Sequence, residues 1–135
     1  MPRDLIDAQL QVTKALPNGA ATASTDGIDL GITSNSDFQA AVELKIEAPA
    51  LDSTALPNTK TMKYSVYHDS ASDFSGEALL AGDVVVQTGA GGTGDDAATG
   101  RLPLPTNVSR YIRVKAVGSA SGDASGSSVT VSLAH

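Results

Sequence analysis

Residues 109–135 read SRYIRVKAVGSASGDASGSSVTVSLAH, and this stretch decides the fold. Tyr111, Ile112, Val114 and Val117 are aromatic or β-branched, with Arg110, Arg113 and Lys115 set among them. Val129, Val131 and Leu133 then recur at every second position, separated by Thr130 and Ser132. A period of two marks strands with one covered face. The link between them is about eleven residues of Gly, Ser, Ala and Asp, too long and too flexible for a two-residue hairpin. The stretch therefore predicts a strand, a flexible polar loop and a second strand, a pair tucked inside the sheet and central to the fold.

The same period appears upstream. Ile28, Leu30 and Ile32 alternate in a short segment. From Phe38 to Ala48, Val42, Leu44 and Ile46 point one way and Glu43, Lys45 and Glu47 the other, until Pro49 ends the run. From Lys60 to His68, Met62, Tyr64 and Val66 oppose Lys63, Ser65 and Tyr67, and Leu79 to Gln87 centres on Val84-Val85-Val86. Between these runs lie Pro17-Asn18-Gly19, a polar link with Pro57-Asn58, the loop HDSASDFSGEA, and the Gly-rich loop TGAGGTGDDAATG from Thr88 to Gly100. Met1 to Val12 is readable as helix, strand or docking arm. No long window carries a helical apolar stripe. Six to eight short strands joined by turn-rich links predict a single all-β domain over residues 1–135. The expected architecture is a jelly-roll-like antiparallel sandwich, with residues 1–12 as an N-terminal arm.

Composition bounds what such a domain can do. The chain has 135 residues, enough for one core; 41 % are hydrophobic but only 4 % aromatic, so that core must be aliphatic. Nine basic residues against fifteen acidic give a net charge of −6, which argues against nucleic acid or an anionic membrane as partner. There is no cysteine, hence no disulfide, thiolate zinc site or thiol nucleophile. The start MPRDLIDAQLQV lacks an apolar signal core and no stretch is long and apolar enough to span a membrane, so the expectation is a protein made and used without secretion.

Three local patterns imitate chemistry. Gly89-Ala90-Gly91-Gly92-Thr93-Gly94 spells GxGxxG after a strand, but a dinucleotide site needs a helix there and an acidic residue about twenty positions on. Here Gly100 and Pro103 follow, and Arg110, Arg113 and Lys115 occupy the acidic window, so a surface loop is expected. The same loop begins like a calcium-binding β-helix repeat, but such turns bind calcium in stacked copies and this chain has one. His68, Asp69, Asp73 and Glu77 could hold a metal or form an acid–base pair, yet the only other histidine is His135 and no HxH or HxxxH spacing exists. No GxSxG elbow or credible triad occurs, so neither catalysis nor a cofactor or metal is expected. Arg101, Arg110, Arg113 and Lys115 gather four of the nine basic residues. Arg113 and Lys115 are expected to pair across strands with Glu43 and Glu47, whereas Arg101 and Arg110 are candidates for contact with an acidic partner.

The two ends of the chain together carry a resemblance. DAQLQVTKA…ATASTDGIDLG, from Asp7 to Gly31, resembles the opening of the capsid cement (decoration) proteins of tailed phages typified by the Bordetella tropism-switching phage. LPTNVSRYIRVKAVGSASGDASGSSVTVSLAH is similar to that family's ending, and the likeness covers about half the chain. It implies a jelly-roll subunit, assembled as a homo-oligomer (dimer or trimer), that binds the major capsid protein on the outer surface of an icosahedral shell. There it would bridge neighbouring capsomers, after joining the virion in the host cytoplasm. Candidate contacts under this reading are Leu5, Ile6 and Leu10 of the arm, Phe74 of the loop from Asp69 to Glu77, Arg101, Arg110 and the loop from Gly89 to Gly100. The alternative is a carbohydrate-binding or adhesive module of a phage tail or fibre. Sugar platforms favour exposed aromatics, and this chain offers only Tyr64, Tyr67, Tyr111, Phe38 and Phe74, with no Trp.

Overall fold

The alternating runs form antiparallel strands in the computed structural model, which describes residues 11–30, 42–105, 107–119 and 122–134. In chain order the strands are β1 (Val12–Ala15), β2 (Thr22–Ser24), β3 (Ile28–Asp29), β4 (Glu43–Ala48), β5 (Thr61–Asp69), β6 (Ala78–Thr88), β7 (Ala98–Pro103), β8 (Tyr111–Gly118) and β9 (Ser128–Ala134), and no helix occurs among the described residues. One sheet has the order β1-β9-β4-β7; the other has the order β2-β8-β5-β6, with β3 also pairing β8. Because β2 and β3 lie along the same neighbour, they act as one interrupted strand. Every other connection except β5–β6 crosses from one sheet to the other. This is the jelly-roll order, two Greek keys wound into a sandwich.

The stretch from Ser109 to His135 supplies an interior strand to each sheet. β8 lies between β2 and β5, β9 lies between β1 and β4, and the Gly/Ser link is the crossover joining them. Alternation decides what each strand buries. Leu44 and Ile46 of β4 and Val129, Val131 and Leu133 of β9 face Met62, Tyr64 and Val66 of β5 and Ile112, Val114 and Ala116 of β8, all buried. Burying an aliphatic side chain of this size contributes about 1.5–3 kcal/mol, so this aliphatic core is the main source of stability.

With β2 and β3 taken as one interrupted strand, the described residues hold eight strands, within the six to eight expected, but the loop assigned to Thr88–Gly100 is too long. Its last residues, Ala98 to Gly100, open β7, which pairs with β4 from Ala98↔Ala48 to Pro103↔Glu43. Glycine and proline hid this strand, and both have positional reasons to be there. Pro103 ends an edge strand, where a missing N–H is tolerated. Gly100 lies where the edge strands β6 and β7 close the sandwich, and an added Cβ there would collide with Val85 Cγ2 and lie 3.0 Å from Val84 Cγ1. The arm also ends earlier than expected, since Val12 pairs with Val131 as the first residue of β1. Of the strand expected from Phe38, residues 38–41 lie outside the described residues, as do Ile32 and the arm residues Leu5, Ile6 and Leu10.

The run Val84-Val85-Val86 breaks simple alternation because β6 is bulged. Its register with β5 slips between Tyr64 and Val66 and again between Val66 and Tyr67. Asp83 sits in the irregularity with φ 49° and donates its N–H to Ser65 Oγ at 2.9 Å. A bulge of this kind on an edge strand also discourages pairing with another sheet.

Candidate interaction surfaces

The sandwich has two ends, built from different chemistry. At one end the connections β1–β2, β4–β5, β6–β7 and β8–β9 are sewn together through backbone groups. Gly19 N–H donates to Gly122 O (2.7 Å), Asp123 N–H to Thr54 O (3.1 Å), and Leu51 and Asp95 exchange both bonds (2.9 and 2.8 Å). Gly89 N–H donates to Lys60 O (2.8 Å) and Gly91 N–H to Asn58 Oδ1 (2.9 Å). Gly94 takes φ 70° and the position of its absent Cβ is occupied by Leu51 O, so only glycine fits. The GxGxxG loop is thus anchored to its neighbour and leads into a strand, where a dinucleotide site would need a helix.

Gln87 is the buried centre of this end. Its Oε1 accepts from Tyr64 Oη (2.7 Å), and its Nε2 donates to Pro49 O (2.8 Å) and Asp96 O (3.0 Å). One side chain therefore joins strand β5 to the chain just after β4 and just before β7. Burial pushes the Tyr64 phenol well above its usual range. Outside this centre lies an open depression of about 530 Å³ whose lining includes Asp52, Asp95, Asp96 and Asp123. Three of these carboxylates hold local turns. Asp52 accepts from the Thr54 and Ala55 N–H groups, Asp95 from Thr88 and Asp96, and Asp123 from Ser125. Among the described residues no group of three or more His, Cys, Asp or Glu is arranged to hold a metal ion.

The opposite end is held by charges. Glu77 accepts from Arg113 Nε (2.9 Å) and from Lys115 Nζ. Burial pushes the Glu77 carboxyl up, but the bonds from Lys115 and Arg113 outweigh it and leave the group below its ordinary value. Asp69 accepts from Gly76 N–H (2.8 Å) and Ala71 N–H (3.3 Å), and the Gly76 bond is the main reason its carboxyl is depressed. These contacts close the β5–β6 loop over Phe74, which has φ 55° and is 7 % exposed. Its ring lies against Gly27, where an added Cβ would be 2.6 Å from Cε2, and the Arg113 guanidinium sits 4.4 Å above it. His68 Nδ1 accepts from Ser109 N–H at 3.1 Å, tying the β7–β8 loop to β5. His68, Asp69, Asp73 and Glu77 therefore serve four separate sets of partners, Asp73 capping the Ser75 N–H.

The basic cluster does not form one strip. Arg101 lies on β7 in one sheet, while Arg113 and Lys115 lie on β8 in the other, with Arg110 just before it. Arg113 and Lys115 pair with Glu77 rather than with Glu43 and Glu47, which belong to β4 in the opposite sheet and pair with Arg101 and Lys45. Arg110 makes a two-pronged contact with Asp29 at 2.8 and 3.0 Å. Sequence reasoning missed Gln87 and the Glu77 clamp. Gln87 had a usable signal: it shares the parity of buried Val85, so its amide had to point inward.

Comparison with models of known protein families finds no match, and comparison with curated proteins finds none either.

Proposed function

We propose that this chain is a structural virion protein, a capsid cement protein that binds the outside of an assembled phage shell and bridges neighbouring capsomers. One observation carries the reading beyond sequence likeness. The two stretches that resemble the cement family stand about seventy residues apart, yet they pair with each other in both sheets. β1 pairs with β9, and β2 and β3 pair with β8. The likeness therefore falls on one contiguous structural half rather than on unrelated fragments.

The physics suits the role. A protein that binds the assembled shell but not the free capsid subunit stabilises the shell by mass action. An oligomer bridging several subunits can do so with modest individual contacts. The described aromatic side chains also favour the shell over a sugar. Tyr64 and Phe74 are buried, Lys115 lies 4.5 Å over the Tyr67 ring, and Arg110 lies 5.2 Å from the Tyr111 ring. Co-sedimentation with purified, undecorated expanded capsids, run beside a glycan-binding assay, tests the proposal. The expected result is saturable pelleting with capsids and none with free capsid protein. Protein that stays in the supernatant with capsids but is retained by a glycan overturns it.

A further inference from the structure

The crossover from β1 to β2 carries the only Asn-Gly pair in the chain, Asn18-Gly19. Asparagine is chemically labile, and how labile depends on the residue that follows it. The backbone nitrogen of that residue can attack the side-chain amide carbon, and a β-branched neighbour crowds the approach. The other described asparagines are guarded in this way, Asn58 preceding Thr59 and Asn107 preceding Val108. Asn18 is exposed and precedes a glycine, so no side chain crowds the nitrogen. What restrains it is hydrogen bonding on both sides. Ala124 N–H donates to Pro17 O (3.3 Å), Gly19 N–H donates to Gly122 O (2.7 Å), and Asn18 itself bridges to Asp123. The nitrogen that would attack is therefore occupied in the closed structure.

We propose that Asn18 is a site of spontaneous hydrolytic deamidation, restrained by the Gly19–Gly122 hydrogen bond and released when that tie opens. In the open form the Gly19 amide loses its proton to hydroxide, and its lone pair attacks Asn18 Cγ. The Cγ–Nδ2 bond breaks, and the departing nitrogen takes a proton from water and leaves as ammonia. Water then opens the cyclic imide. Its oxygen bonds to one of the two carbonyl carbons, the bond from that carbon to the Gly19 nitrogen breaks, and the nitrogen recovers a proton. Addition at the side-chain carbonyl gives aspartate. Addition at the backbone carbonyl gives isoaspartate, whose main chain runs through the former side chain. Either product sets a carboxylate opposite Asp123, whose own carboxylate is engaged with Ser125. Like charges on directly paired residues repel, and isoaspartate also lengthens the backbone, so each product loosens this one tie.

The test follows Asn18 by peptide mapping with mass spectrometry in mildly alkaline buffer, in the full chain and in the free peptide ALPNGAA (residues 15–21). The folded chain should convert at least about tenfold more slowly than the peptide, and the urea-unfolded chain at the rate of the peptide in the same urea. The slowing should also match the hydrogen-exchange protection of the Gly19 amide within about threefold, because both reactions need the same N–H released. Gly122→Ala supplies an independent arm. Its Cβ would meet Pro57 Cδ at 2.7 Å and Ala55 O at 2.9 Å, so the tie must shift. Asn18 should then react at least about threefold faster than in the folded wild type. Circular dichroism establishes that this variant is folded, and if it is not, the match between slowing and exchange protection decides. Conversion of the folded chain at the peptide's rate overturns the proposal. So does a slowing far greater than the exchange protection, which would mean that the fold forbids the attack even with the bond open.

Discussion

The two ends of the sandwich solve the same problem with opposite materials. Both must tie long crossover loops to a rigid sheet. The end around Gln87 ties its crossovers together with hydrogen bonds between backbones and one buried amide, while the carboxylates of Asp52, Asp95 and Asp123 hold only the turns within them. The end around Phe74 uses carboxylates, cations and an aromatic ring near the surface. Neutral buried bonds are insensitive to salt and strongly penalised when half removed. Partly exposed ion pairs are weaker, screened by salt and lost in acid. The first end should therefore fail only through its centre, and the second gradually and conditionally.

The sharpest way to break this contrast is Gln87→Leu. The change keeps approximate volume but leaves the Tyr64 hydroxyl and the carbonyls of Pro49 and Asp96 without their partner. We expect a loss of about 2 kcal/mol, because a buried hydroxyl and two half-buried carbonyls lose their partner at once. Urea unfolding measures it, and hydrogen exchange should show the largest loss of protection at Leu51 and Asp95. A change below about 0.5 kcal/mol would mean that water replaces the amide and that this end is not centred on Gln87.

The next effect belongs to the charged end. Gly27→Ala puts a Cβ 2.6 Å from Phe74 Cε2 and 3.0 Å from Cζ, so the ring must move. Overpacking of this kind costs about 1–3 kcal/mol. Pairing it with Phe74→Ala gives a decisive check in a double-mutant cycle: once the ring is gone, the alanine at 27 should cost much less. Additive losses would show that the clash is not with Phe74.

Legibility in the sequence followed burial geometry. β4, β5, β8 and β9 were readable because each sets its apolar residues at every second position against a continuous core. β7 was not, because packing against Val84 and Val85 required Gly100 where a strand signal would have had a β-branched residue. The three consecutive valines correctly marked β6, but not its bulge, since a slip in register leaves no mark in composition. Partners of the basic residues were missed for a different reason. Glu77 is 36 and 38 residues from Arg113 and Lys115, and only the fold-back of the β5–β6 loop joins them.

A smaller effect is expected at that clamp. Glu77→Gln removes the shared charge beneath Arg113 and Lys115, with a loss of about 1 kcal/mol once solvent screening is allowed for. Its condition dependence carries more information than its size. The folded-state carboxyl is depressed, so its contribution is fully present above the unfolded value near about 4.3 and disappears as pH falls through the lower folded value. The stability gap between wild type and Glu77→Gln should therefore be constant from neutral pH to about 5 and close in stronger acid. It should also narrow on raising salt from about 0.05 to 0.5 M. A gap unchanged by both would mean that the loop is held by packing rather than by charge. Gln87→Leu should show neither dependence.

The smallest effect should come from Arg110→Ala at the same charged end. The contact with Asp29 has good geometry, with two hydrogen bonds, yet the two side chains are 43 % and 45 % exposed. Glu77, Arg113 and Lys115 are 16–22 % exposed, so the two sets of pairs differ mainly in how much water surrounds them. If burial governs the value of a charge contact here, Arg110→Ala should shift the thermal midpoint by at most about 1 °C, against about 4 °C for Glu77→Gln. Equal shifts would show that geometry outweighs burial at this end. The β3–β8 pairing, which is only the two positions Ile28↔Ile112 and Asp29↔Tyr111, would then depend on Arg110 to keep its edge in place.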